Sequence, residues 1–161
     1  DLFAVVRNPY KRAVSEYYYF CYRRCFRKSR RNDTAETMNE FLQDTLGRFQ
    51  HAPKGTSDYF IHQGHWIPQY EYVYNDRDNT RLVQHIVHLE YIDEEFPSLM
   101  DAYNLTVNLN AVGRQRERKP WNRKAACTVK NLTVETMKMI EDIFAKDFKL
   151  GEYQILSGRT S

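Results

Sequence analysis

The chain has 161 residues, 42% hydrophobic and 28% charged, which is the size and composition of one globular domain with a buried core. The net charge of +3 argues against a protein that is basic throughout, and no apolar run reaches the roughly 18 residues that a membrane span needs. No signal peptide is visible. We predict a single domain over residues 1–161. Because the chain opens on a strand-like run at Asp1 without an initiator Met, we interpret it as the C-terminal portion of a larger domain.

The first half of the chain predicts one strand and two helices. The apolar run LFAVV at 2–6 is typical of a strand buried on both faces of a parallel sheet. Pro9 suits the first turn of a helix, which the apolar spacing predicts over about 10–28. A capping box, Asp33-Thr-Ala-Glu36, predicts a second helix that ends at Gly47.

The second half predicts a further strand and two further helices. Residues 58–76 are dense in aromatics and histidines and follow neither period, whereas 81–92 predicts a strand. Asp93 is predicted to cap the next helix, and Thr133 the last one, which ends at Gly151. Strands followed by helices favour a three-layer α/β arrangement.

The basic residues are concentrated in two short stretches. Residues 22–31 and 113–124 hold six Arg or Lys each, which together are half of the 24 in the chain. Such stretches indicate an anionic ligand or partner, or alternatively two solvated surfaces. Three cysteines (Cys21, Cys25 and Cys127) leave the redox compartment open, while three glycosylation sequons (at Asn32, Asn104 and Asn131) are compatible with a secretory-pathway glycoprotein.

An arginine stands where the first predicted strand ends, and a serine follows eight residues later. Arg7 would present its guanidinium at the carboxyl edge of the sheet, where α/β folds bind ligands. Ser15 would lie near the second turn of the following helix. Charged donors beside a hydroxyl and a helix N-terminus suit a phosphate group. The alternative is an arginine paired with a carboxylate, beside an ordinary helix serine.

The run FAVVRNPYKRAVSEY, residues 3–17, closely resembles the 3′-phosphate-binding segment of sulfotransferases that use 3′-phosphoadenosine 5′-phosphosulfate (PAPS). In that family the strand-end Arg and the Ser eight residues later hold the 3′-phosphate, so the resemblance implies this role for Arg7 and Ser15. Three further segments resemble the Golgi-type carbohydrate sulfotransferase group, in the family's order: HWIPQ (65–69), HLEYI (88–92) and 132–153. The implied fold is a three-layer, P-loop-like parallel sheet flanked by helices.

The family's second nucleotide element is a loop after its first strand that bears a lysine and cradles the 5′-phosphosulfate. No Gly-x-x-x-x-Gly-Lys occurs here, and the six glycines are scattered. The resemblance therefore implies that the first strand and this loop lie upstream, so that the chain carries half of the cofactor site and is incomplete as an enzyme.

The resemblance also implies a base that takes the proton from an acceptor hydroxyl, a role for which family members use His or Glu. His65 is the first candidate and His62 the second. Alternatively, His65 orders a loop or touches the nucleotide without moving a proton. Asn122, Arg123 and Lys124 lie where the family places further contacts to the 3′-phosphate. A metal is not expected, because His62 and His65 lack a nearby carboxylate partner in the sequence.

The function implied is transfer of the sulfuryl group of PAPS to a hydroxyl of a carbohydrate, such as a glycosaminoglycan, with no nucleic-acid partner. The alternative is a basic module that binds glycans or nucleic acid without catalysis. A phosphoryl-transferring P-loop enzyme is disfavoured because no Walker-type lysine is present. By family, the compartment would be the Golgi lumen, with a membrane anchor upstream, in a eukaryote, and the cytoplasm in a bacterium.

Overall fold

The computed structural model describes residues 1–25, 34–107 and 127–159, and of residues 21–25 and 159 the backbone alone. This part of the chain is a mixed α/β structure in which helices flank a small parallel sheet. In chain order its elements are β1 (Phe3–Val6), α1 (Pro9–Cys25), α2 (Ala35–Gln50), β2 (His85–His88), α3 (Ile92–Ala102), α4 (Val134–Ile143) and α5 (Ala145–Leu150). Among these, no helix is long and apolar enough to cross a membrane.

The two strands pair in parallel, with Phe3 opposite His85 and Val6 opposite His88. A parallel pair requires a long crossover, and here α1 and α2 lie within it. Alternate residues of a strand face opposite sides, so β2 serves two layers. Val87 packs against α3, whereas the ring of His88 meets Tyr153 after α5 and also bonds Glu95 of α3 at 3.0 Å.

The main core lies where α1, α2, α4 and α5 meet. Its buried side chains follow the helical spacing expected of amphipathic helices, as in α2 with its fully buried Met38, Leu42 and Leu46. The indole of Trp66, from the irregular stretch between α2 and β2, is also inside and only 1% exposed. This stretch, which the periodicity left unassigned, is therefore part of the core.

The prediction that β1 is buried on both faces is wrong for the described residues. Phe3 and Val5 are 45% and 42% exposed, whereas Val6 is 2% exposed. The ring of Phe3 meets Phe96 of α3 edge-on at 5.7 Å. In the described structure, α3 packs mainly on β2 and covers this side of β1 incompletely.

The start of α2 differs by one residue from the prediction. Thr34, not Asp33, is the N-cap, and Thr37 closes the capping box in place of Glu36. The Thr34 hydroxyl accepts from the Thr37 N–H at 3.2 Å. A threonine hydroxyl can serve both sides of such a box, so Glu36 is left to the first turn, where it complements the helix dipole. The helix also continues beyond Gly47 to Gln50.

The second strand is shorter than predicted. After His88 the chain forms a 3₁₀ turn, Leu89–Tyr91, and α3 begins at Ile92 with Tyr91 as its N-cap. Asp93, the predicted cap, lies in the first turn of α3 instead. The predicted last helix starts and ends as expected, since Thr133 is its N-cap and Gly151 its final C-cap, but it is not continuous: α4 ends at Ile143 and α5 begins at Ala145.

Candidate functional site

The backbone between β1 and α1 is held by side chains rather than by a strand. The Arg7 N–H donates to Gln69 Oε1 at 2.8 Å, and Gln69 Nε2 donates to the Arg7 carbonyl at 2.9 Å. The Asn8 N–H donates to Glu90 Oε1 at 3.1 Å. Two distant segments therefore define the path of the chain where the strand turns into the helix.

Arg7 as a whole residue is half-buried. Within the described residues no hydrogen bond or ion pair to its guanidinium is found, so the alternative of a carboxylate-paired arginine is not observed there. A fixed backbone that presents a cation without a protein partner is an arrangement that suits an anionic ligand.

Ser15 lies on α1 between two tyrosines that contact different parts of the molecule. At about 100° per residue, its direction from the helix axis is about 40° from Tyr19 and about 60° from Tyr18. The ring of Tyr19 stacks on His65 at 4.9 Å. The Tyr18 hydroxyl donates to the Cys127 carbonyl at 3.1 Å and accepts from the Cys127 N–H at 2.6 Å.

The segment that runs from His62 to Gln69 lies antiparallel along α1. At its start, the His62 ring stacks on Phe20 with 4.0 Å between centroids. At its end, Gln69 reaches Arg7. Between them, Nη2 of Arg12 donates to two carbonyls of the segment at 2.7 Å each. The stretch that resembles the family's second segment therefore follows the helix that carries Ser15.

His65 faces a carboxylate that the sequence analysis did not assign. Its Nδ1 lies 2.8 Å from Glu16 Oε2, and its side chain is 31% exposed. A neutral imidazole that donates Nδ1–H to Glu16 has its lone pair on Nε2, and the carboxylate would stabilise the imidazolium after proton uptake. Glu16 follows Ser15 directly in the sequence, but no spacing links it to a residue 49 positions away.

His62 is placed differently. Its Nδ1 accepts a hydrogen bond from the indole N–H of Trp66 at 3.0 Å, and its ring lies parallel to Phe41 at 5.9 Å as well as against Phe20. These contacts fit a packing role. The described residues contain no group of three or more His, Cys, Asp or Glu arranged to hold a metal ion.

Asp147 organises the segment from the interior. Its side chain is 1% exposed and accepts the backbone N–H groups of Gln69 and Tyr70, both at 2.8 Å, so it caps the 3₁₀ helix Gln69–Tyr72. Burial raises the pKa of Asp147, against these hydrogen bonds and the charge of Arg12, whose Nη1 is 3.6 Å away. Burial lowers the pKa of Arg12, because it disfavours the charged form of the guanidinium.

Glu90 fixes the backbone of Asn8, the residue that follows Arg7. Besides the N–H of Asn8, it accepts a hydrogen bond from the Tyr153 hydroxyl at 3.1 Å and lies 3.7 Å from Lys11 Nζ. Burial beside this carboxylate raises the pKa of Tyr153. The segments 65–69 and 88–92 thus bond the backbone of Arg7 and Asn8 directly, and the segment 132–153 supports them through Asp147 and Tyr153.

The remaining predicted residues lie outside the described part of the chain. Asn122, Arg123 and Lys124 belong to the basic stretch 113–124, and most of the stretch 22–31 is likewise undescribed. Cys127, the first described residue after the stretch 113–124, is buried, and its backbone is bonded to Tyr18 of α1.

A cavity of about 320 Å³ lies elsewhere, between β2 and α3. Its lining includes His85, Val87 and Glu95, and none of the predicted site residues.

The comparison with protein families is consistent with this geometry. A model described as the Sulfotransferase family matches residues 2–154, which include Arg7, Ser15 and all four segments that resemble the family. The chain therefore belongs to the sulfotransferase family. Membership of the Golgi-type group is consistent with this match. No curated protein and no solved structure matches the chain.

Proposed function

We propose that the chain belongs to an enzyme that transfers the sulfuryl group of PAPS to a hydroxyl of a carbohydrate acceptor. Family membership supports sulfuryl transfer. The setting of Arg7 is the observation that supports PAPS as the donor. Gln69 fixes its backbone, and its guanidinium has no protein partner among the described residues. The two strands would then belong to a three-layer, P-loop-like sheet.

In this proposal Arg7 and Ser15 bind the 3′-phosphate of PAPS. Charge-assisted hydrogen bonds contribute roughly 1.5–3 kcal/mol each, so two of them suffice to select a 3′-phosphorylated nucleotide. Asn122, Arg123 and Lys124 are proposed as further contacts. The anchoring of Cys127 on Tyr18 supports this, because it brings the chain next to the helix face of Ser15 shortly after these three residues.

His65 is proposed as the base, with Glu16 as the group that orients it. PAPS supplies an activated sulfuryl group. His65 Nε2 takes the proton of the acceptor hydroxyl while that oxygen bonds to sulfur; the bond from sulfur to the phosphate oxygen breaks, which leaves adenosine 3′,5′-bisphosphate. Glu16 at 2.8 Å stabilises the resulting imidazolium. His62 is assigned to packing, since Trp66 occupies its Nδ1.

The acceptor is proposed to be a carbohydrate, with a glycosaminoglycan as the anionic case that the basic stretches would suit. Phe60 and Tyr72 are 51% and 60% exposed and offer faces on which sugar rings can pack. The proposed compartment is the Golgi lumen for a eukaryotic enzyme anchored in the membrane outside this chain, and the cytoplasm for a bacterial one.

Calorimetric titration with adenosine 3′,5′-bisphosphate and with 5′-AMP tests the donor site. It uses the longest native form of the chain, its Arg7→Ala variant and, as a matched loss of charge, Arg77→Ala in an exposed loop. We expect the native chain to prefer the bisphosphate. In Arg7→Ala the bisphosphate should bind roughly 10- to 100-fold more weakly, since at least one charge-assisted hydrogen bond is lost. Arg77→Ala should bind like the native chain.

Equal, weak and salt-sensitive binding of both nucleotides would contradict the proposal. It would support the alternative of a basic module that binds glycans or nucleic acid through many Lys and Arg contacts.

A further inference from the structure

We propose that Gln69 is a positioning residue that determines selectivity for the 3′-phosphate, because it holds the backbone of Arg7 in the binding conformation. This inference rests on the proposed function. Gln69 acts on the 3′-phosphate through the backbone of Arg7.

The primary amide of Gln69 takes the place of a neighbouring strand. The ladder between β1 and β2 ends at the pair Val6 and His88. At Arg7, one residue beyond, the amide of Gln69 accepts from the N–H and donates to the carbonyl, at 2.8 and 2.9 Å. One planar amide thereby satisfies both polar groups of a residue that would otherwise rely on water. The backbone of Arg7 is thereby fixed one residue beyond the ladder, and no hydrogen bond or ion pair to its side chain is found among the described residues.

The side-chain amide of Gln69 can fix the backbone of Arg7 because hydrogen bonds to Asp147 fix Gln69 itself. The backbone N–H of Gln69 donates to Asp147 Oδ2 at 2.8 Å, and Gln69 Nε2 lies 3.4 Å from the same oxygen. Asp147 is buried and faces the guanidinium of Arg12. This guanidinium donates hydrogen bonds to the carbonyls of His65 and Ile67. The position of Gln69 is thus determined by the core.

The chemistry of the contact is specific to glutamine. A glutamate in its ionised form lacks the donor for the Arg7 carbonyl, and an asparagine places its amide one methylene short. Bidentate recognition of a phosphate by arginine depends on geometry to about 0.5 Å. A displaced Arg7 backbone should therefore weaken the contact with the 3′-phosphate while contacts to the rest of the nucleotide remain.

The test measures a ratio of affinities rather than an affinity. Kd for 5′-AMP divided by Kd for adenosine 3′,5′-bisphosphate is determined by calorimetry on the longest native form of the chain. Gln69→Met keeps the length of the side chain and removes both hydrogen bonds. Gln43→Met is the matched control, since Gln43 is also partly buried and donates to Thr136 Oγ1 at 2.9 Å between α2 and α4.

We expect the ratio to fall about tenfold in Gln69→Met, with Kd for 5′-AMP unchanged, and to stay at the native value in Gln43→Met. A general loss of folded protein lowers the active fraction for both nucleotides and does not move the ratio. If Gln69→Met does not fold, Gln69→Asn is measured in the same way, and a fall in its ratio is again expected.

The two proposals fail in different ways. A native chain without preference for the bisphosphate overturns the proposed function and this inference with it. A native chain that prefers the bisphosphate, together with a folded Gln69 variant of unchanged ratio, overturns the inference alone.

Discussion

His62 and His65 lie three residues apart in one irregular segment, yet their ring nitrogens meet different partners. Nδ1 of His62 accepts from the indole of Trp66, and the ring stacks on Phe20. Nδ1 of His65 faces the carboxylate of Glu16 at 2.8 Å. Only the second arrangement resembles a base with an orienting group, and this separates two candidates that the sequence ranked only weakly.

Replacement of His65 tests the proposed base. In His65→Ala we expect kcat to fall about 10²- to 10⁴-fold with little change in KM for PAPS, as is typical for loss of a general base. Steady-state kinetics on the complete enzyme measure both constants, and His51→Ala, an exposed histidine after α2, is the control. A rise in KM for PAPS at constant kcat would instead identify His65 as a nucleotide contact.

The carboxyl group of Glu141 should make the stability of the folded state depend on pH. Burial alone would raise its pKa, but hydrogen bonds from Ser157 and Tyr10 outweigh burial and leave the pKa of Glu141 below its usual range. The folded state therefore binds this proton less readily than the unfolded chain does. The resulting stabilisation is present above the unfolded pKa of about 4.3 and is lost as the pH falls through the folded value.

We expect the native protein to melt at a higher temperature than Glu141→Gln near pH 6, and this difference to shrink as the pH is lowered toward 3. Thermal melts followed by circular dichroism measure it. Glu40→Gln, at an exposed position of α2, should show no such convergence. A difference between native protein and Glu141→Gln that stays constant over this range would refute the linkage.

At the scale of elements, the end of α5 shows how a helix terminus supports the site. A Cβ placed on Gly151 would lie 2.2 Å from Cε2 of Tyr153, although the backbone of Gly151 has an ordinary φ of −100°. The constraint is thus space rather than backbone conformation. The tyrosine that needs this space donates to Glu90, which holds the N–H of Asn8.

Gly151→Ala should therefore lower the free energy of unfolding by about 1–3 kcal/mol, the usual range for overpacking. Chemical denaturation measures this. The control is Gly158→Ala, where an added Cβ meets no atom within 4 Å among the described residues. Equal stability of the two variants would show that the ring of Tyr153 moves aside without cost.

At the scale of the whole molecule, the Arg12–Asp147 pair joins parts of the chain that are far apart in sequence. Asp147 belongs to α5 and caps the 3₁₀ helix that begins at Gln69, and Arg12 belongs to α1 and binds carbonyls of His65 and Ile67. Removal of one partner leaves the other charge buried and unpaired, which is costly.

Asp147→Asn should lower the free energy of unfolding by about 3–5 kcal/mol, because it leaves Arg12 unpaired and turns an amide donor toward a backbone N–H. Denaturant titration gives the value, with Asp142→Asn, an exposed aspartate of α4, as the control. A loss no greater than that of the control would show that the pair does not support the fold.

Much of the local structure was predictable because it depends on neighbouring residues. The caps at Thr133 and Gly151 follow from side chains within one helical turn. The N-cap of α2 was placed one residue early, because Asp33 and Thr34 are both good caps and the sequence does not rank them. The exposure of Phe3 was not predictable, since an apolar run does not reveal how much of it other layers cover.

The sequence by itself determined the family of the protein, because segments such as 3–17 resemble that family's motifs locally, and it singled out Arg7 after the first strand and Ser15 on the following helix as candidates. Only the tertiary structure decided what holds that arginine. Gln69, 62 positions away along the chain, bonds the backbone of Arg7, while Glu90 bonds that of Asn8 and Asp147 fixes Gln69. Such contacts depend on the packing of whole elements against one another, which no local spacing encodes.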